Sequence, residues 1–106
     1  MKLVGLGIVT LLFLGACQAA DTPRGDPEAG RMVVDNLDKS CGLCHTLASA
    51  GFEGTAAPNL DDLRPGYERV LNAVRRGPGM MPSYSDALTE DEMHDIAAFI
   101  SREVSG

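Results

Sequence analysis

Apolar residues fall along this chain in separate blocks with different spacing. Leu3 to Leu14 form an almost unbroken apolar run behind Lys2. It is too short for a comfortable membrane span, but it has the length that fills the middle of an export signal. From Cys17 to Gly25 the apolar pattern lapses, and Pro23 and Gly25 read as part of a polar tether. At about 3.3 Å per residue such a tether reaches roughly 30 Å. Periodicity returns at Asp26, which is placed to cap a helix with Pro27 in the first turn and Glu28 near its positive end. That helix is predicted to run to about Asn36.

Between Thr46 and Arg64, Gly51, Gly54 and Pro58 interrupt any sustained period, which predicts a loop packed on some surface, with a single turn at Leu60 to Leu63. Val70, Leu71 and Val74 then recur at helical spacing within Tyr67 to Arg76, and Gly77-Pro78-Gly79 stops the helix. The last helix is the plainest. Thr89 and Glu92 form a capping box, and Met93, Ile96, Ala97, Ile100 and Val104 make one apolar stripe. With no internal repeat, the pattern predicts an all-α domain over 26–106 with three main helices, behind an export signal over 1–16 and a tether over 17–25.

Composition adds two constraints. The 106 residues include no Trp, three Phe and two Tyr, a thin core for a domain of about ninety residues once a signal is removed. A large, flat, apolar ligand would supply buried surface that the side chains lack. The formal net charge is −6, which argues against a nucleic-acid partner, because a phosphate backbone needs a concentrated basic face. The short basic run Arg64, Arg69, Arg75 and Arg76 covers a helix or meets anionic groups of a ligand.

Leu14-Gly15-Ala16-Cys17 resembles the bacterial lipobox, in which a Cys after a small residue is lipidated and becomes the new N-terminus. Cleavage near Ala19 or Ala20 is the rival, but it needs a poorer small-residue pattern. Without lipid, Cys17 would be an exposed thiol in an oxidising compartment. We expect lipidation at Cys17, with the protein in the cell envelope on the periplasmic or extracytoplasmic side. An intact mass beginning at Asp21 without lipid would end that expectation.

Cys41-Gly42-Leu43-Cys44-His45 carries the chemistry. Two thiols three positions apart can add to the two vinyl groups of one haem, while the next residue presents imidazole to iron. Zinc would need two further ligands, and a disulfide oxidoreductase would need a strand before the motif and a βα unit around it. Neither context is apparent, so one haem c, bound through two thioethers, is the expected cofactor.

From Asp26 to Val104 the sequence resembles the monohaem class I cytochrome c family. The matching features are Gly30 with Val34, Cys41 to His45, Pro58-Asn59-Leu60, Met81-Pro82 and the final helix bearing Phe99. The resemblance implies a cytochrome c fold in which the first and last helices cross at Gly30 and Phe99. It implies that the Pro58 carbonyl accepts a hydrogen bond from His45 Nδ1, and that Met81 is the sixth iron ligand. The stretch from Val34 to Cys41 is longer by about three residues than in many relatives, which leaves the register of the crossing open. Met80 is the rival ligand. Met32 and Met93 sit in helical patterns as core fillers. His94 would permit a bis-histidine haem, but a lone His toward the flank of a helical stripe reads as a surface residue. Tyr67, Tyr84, Asn59 and Arg69 are candidate donors to propionates or to the Met sulfur, or simply packing residues with solvated tips.

With both axial positions filled, the expectation is a one-electron carrier and not an enzyme. It would act as a monomer between membrane-bound or membrane-proximal redox proteins, or as the haem subunit of a respiratory or dehydrogenase complex. The alternative is a haem sensor or ligand-binding protein whose sixth ligand a small gas displaces. A peroxidase is the weakest reading, since no distal acid and base set is evident beyond His94.

Overall fold

The structure, a computed structural model, describes residues 24–38 and 40–105 together with Gly5 and Gly7. The expected export signal and the lipidation expected at Cys17 lie outside the described residues. None of the described helices is long and apolar enough to cross a membrane.

Four helices follow in order: α1 (Pro27–Asp35), α2 (Leu60–Leu63), α3 (Tyr67–Arg76) and α4 (Glu90–Val104). Their starts have local causes. The Asp26 carboxylate accepts from the backbone N–H groups of Glu28 and Ala29, and Pro27 occupies the first turn, so the open donors at the head of α1 are partly met. Thr89 and Glu92 form a reciprocal capping box on α4. Gly77, with φ of 63°, ends α3 in the left-handed region that a side chain would disfavour.

The largest helix interface is α1 on α4, followed by α3 on α4. At the crossing of α1 and α4, a Cβ on Gly30 would run into the Asp95 carbonyl, so the two backbones touch there. Phe99 is fully buried beneath this contact, with the Arg31 and Arg102 guanidinium groups 5.6 and 5.9 Å from its ring centroid. Each cation is held over the ring by a carboxylate, Asp35 for Arg31 and Glu28 for Arg102. The core continues through Val34, Leu47, Leu71, Val74, Met93, Ile96 and Ile100.

The domain is mainly helical, as predicted, with two local differences. The loop after the cysteine motif contains a two-stranded antiparallel pair, β1 (Thr46–Leu47) and β2 (Phe52–Glu53). Two residues per strand are too few to give a readable period. Met32 is two-thirds exposed rather than a core filler, because α1 buries the Gly30–Val34 edge and Met32 projects from the other side.

Candidate haem-binding site

Cys41–Leu43 form a single 3₁₀ turn after α1. The Cys41 carbonyl accepts from both the Cys44 N–H (3.2 Å) and the His45 N–H (2.8 Å), which folds the motif back on itself and places its three functional side chains on one tight turn. The following loop is tied over it. Gly54 N–H donates to the Gly42 carbonyl at 3.0 Å and Ala57 N–H to the Cys44 carbonyl at 2.9 Å. A Cβ on Gly42 would press into the Phe52 ring, and one on Gly54 would press into the Cys44 backbone. Glycine at both positions is what lets the loop lie against the motif.

This loop delivers Pro58, whose carbonyl oxygen lies 2.7 Å from His45 Nδ1. A carbonyl only accepts, so Nδ1 carries the ring proton and Nε2 presents a bare lone pair. A backbone acceptor on the far nitrogen also fixes the ring and raises its basicity toward a metal. Asn59 is occupied otherwise, its side-chain oxygen capping α2 through Asp61 and Asp62 N–H.

The two thiols are free, Cys41 half-buried and Cys44 exposed. Burial is the main cause that pushes the Cys41 thiol above its ordinary range, and Cys44 adds to it. Tyr84 is raised chiefly by burial and further by the charges of Cys41 and Cys44, which locates its hydroxyl near the cysteine motif. The turn that carries Tyr84 also carries Met81, which is half-buried and packed against the core, whereas Met80 is fully exposed. Met81 N–H donates to the Pro78 carbonyl at 3.1 Å and Tyr84 N–H to the Val74 carbonyl at 2.9 Å, so the segment hangs from the end of α3.

This donor set fits a haem c: unpaired thiols at the right spacing, an imidazole with Nε2 free and a half-buried neutral thioether. No cluster of three or more His, Cys, Asp or Glu suited to a bare metal ion occurs among the described residues.

His94 departs from the expectation of a surface residue. It is buried, with only 8% exposure. Tyr67 Oη contacts its Nδ1 and Arg75 Nη2 lies 3.3 Å from its Nε2. Both partners come from α3, and that non-local pairing leaves no mark in the periodicity of α4. Tyr67 is therefore engaged with His94.

The chain is similar in sequence and in structure to known proteins. The family described as cytochrome C oxidase, cbb3-type, subunit III, matches residues 25–100. A cytochrome c6 from Bryopsis maxima is 26% identical over 87 residues, covering 76% of this chain and 96% of the relative. A cytochrome c6 from Gloeothece citriformis is 26% identical over 103 residues, covering 93% and 91%. Among solved structures, the c-type cytochrome SorU from Sinorhizobium meliloti superposes with a TM-score of 0.68 at 40% identity, covering 73% of this chain and 88% of that one.

Proposed function

Since the chain belongs to the monohaem class I c-type cytochromes, within the family described as cytochrome C oxidase, cbb3-type, subunit III, we propose that it carries single electrons on one haem c held by Cys41 and Cys44 and ligated by His45 and Met81. The observation that carries this reading is the 2.7 Å contact between His45 Nδ1 and the Pro58 carbonyl, which leaves Nε2 as the only nitrogen of that ring able to bind iron. A bound haem would supply reversible one-electron exchange at its iron.

The protein's own residues do the rest. Cys41 and Cys44 anchor the group covalently, Pro58 orients His45, and the ties from Val74 and Pro78 hold Met81 in place. Ligands held by a fixed frame keep the rearrangement between redox states small, which suits a carrier. The hydrogen bonds that restrain the Met81 segment favour a carrier over a gas sensor, which needs a loosely held sixth ligand.

We place the protein in the cell envelope, anchored by lipid at Cys17 ahead of a tether shorter than the expected 17–25, because Arg24 pairs with Asp91 and Gly25 packs against the His94 carbonyl of α4. Its partners would be redox proteins at or near the membrane, favoured by the raised local concentration that anchoring gives.

The test is the absorption spectrum of the matured protein, oxidised and reduced, before and after adding CO, with acid–acetone extraction of a separate sample to probe haem attachment. The carrier reading requires haem that stays with the protein, a ferric methionine-to-iron charge-transfer band, and reduced bands indifferent to CO. Ready CO binding would put the sensor reading ahead.

A further inference from the structure

His94 is a buried titratable group with no part in holding the haem. Its surroundings fix its protonation state. Arg75 has only N–H donors, so His94 Nε2, 3.3 Å from Arg75 Nη2, must accept with its lone pair. The single ring proton then sits on Nδ1 and is donated to Tyr67 Oη. His94 is thus neutral, and it joins α4 to both ends of α3.

The same arginine is tied at its backbone to the turn that carries Met81. The Arg75 carbonyl accepts from Ser83 Oγ at 2.5 Å and Ser85 Oγ at 2.7 Å, and the neighbouring Val74 carbonyl accepts from Tyr84 N–H at 2.9 Å. A chain of contacts therefore runs from the His94 ring through Arg75 to residues two to four positions beyond Met81.

We infer that His94 and Arg75 are positioning residues for the Met81 segment, and that protonation of His94 loosens that segment and weakens methionine ligation. This rests on the reading of Met81 as the sixth ligand.

The physical cause is a reversal of hydrogen-bond sense. A proton on Nε2 would turn an acceptor facing the guanidinium into a second donor, and would set two cations in direct contact. The charged groups around the ring decide where the strain goes. Tyr67 and Arg75 face it from α3, and Glu68 acts on Arg75 from the same helix. Glu90 faces it from α4, with Oε2 2.7 Å from Arg75 Nη2 and 3.9 Å from His94 Nε2. Arg24, ahead of α1, pairs with Asp91 at 3.7 Å and also acts on Glu90. Glu90, held below the usual carboxylate range chiefly by its hydrogen bond to Arg75, stays ionised and attracts the new imidazolium. Glu90 is then shared between two cations, and the Arg75 grip on α4 slackens.

The test follows the ferric methionine-to-iron band of the haem-loaded protein as the pH is lowered from neutral, alongside far-UV circular dichroism. Wild type is expected to lose most of the band on acidification while its helical signal stays constant. His94→Gln, whose amide can accept from Arg75 and donate to Tyr67 without titrating, is expected to keep the band or to move its loss by more than about one pH unit. Arg75→Gln should lower the band across the whole range. A pH-independent band in wild type overturns the inference while the carrier reading stands, and so does an unchanged transition in His94→Gln or a loss that coincides with helix melting. A band retained in Met81→Ala overturns the ligand assignment and the inference together.

Discussion

Replacing Gly30 with Ala tests the helix crossing most directly. The added Cβ would meet the Asp95 carbonyl and lie 2.9 Å from Phe99 Cβ. Both obstacles are main chain or its first side-chain atom, so no rotamer change relieves them and the helices must separate. Overpacking of this kind costs up to about 3 kcal/mol. Ala recovers about 1 kcal/mol over Gly in a helix interior. The net destabilisation should be about 2 kcal/mol, which in a domain this small lowers the melting temperature by roughly 10 °C. Thermal unfolding of the haem-loaded protein by far-UV circular dichroism measures it. Asn72→Ala, on the exposed face of α3, serves as a control in which propensity alone acts, and it should raise stability by a few tenths of a kcal/mol. A Gly30→Ala protein that melts at or above the wild-type temperature would refute the close backbone approach.

Thr89→Ala removes the side-chain acceptor for Glu92 N–H and should lower stability by about 1 kcal/mol in denaturant titration, with no change in the haem spectrum. Met81→Ala should abolish the ferric methionine band and lower the reduction potential, because a soft thioether favours the ferrous state; an unchanged potential in voltammetry would contradict the assignment. Glu90, held low chiefly by Arg75, contributes stability that is present above the ordinary carboxylate range and lost as pH falls through its lowered folded value. In Glu90→Gln that acid-side loss should shrink, and an identical acid-unfolding profile would argue against the ion pair.

The parts of the fold specified by neighbouring residues were legible in the sequence. Asp26 with Pro27, Thr89 with Glu92, and Gly77 each act within one turn, so α1, α3 and α4 could be placed from their caps and stripes. The spacing of Cys41, Cys44 and His45 is equally local. His94 was misplaced because its burial depends on Tyr67 and Arg75, 27 and 19 residues away, and polar partners at that range leave no hydrophobic period behind. Met32 went wrong for a related reason. Its helix has a narrow buried edge, and only the docking of α4 at Gly30 shows which edge that is. The short β1–β2 pair depends on Gly54 and Phe52 meeting the cysteine turn, a tertiary event.

The pairing of α1 with α4 also sets an order of events in time. Asp35 and Glu90 bound a long intervening segment, and bringing its ends together costs about 3–4 kcal/mol of loop-closure entropy before any contact offsets it. A chain made from its N-terminus presents Cys41, Cys44 and His45 well before α4 has been synthesised. The helix that closes the core arrives last, so the thiols have an interval in which α4 is not yet packed against the domain. Slow closure, a burden for most small domains, would here leave time for the proposed covalent attachment before the core is finished.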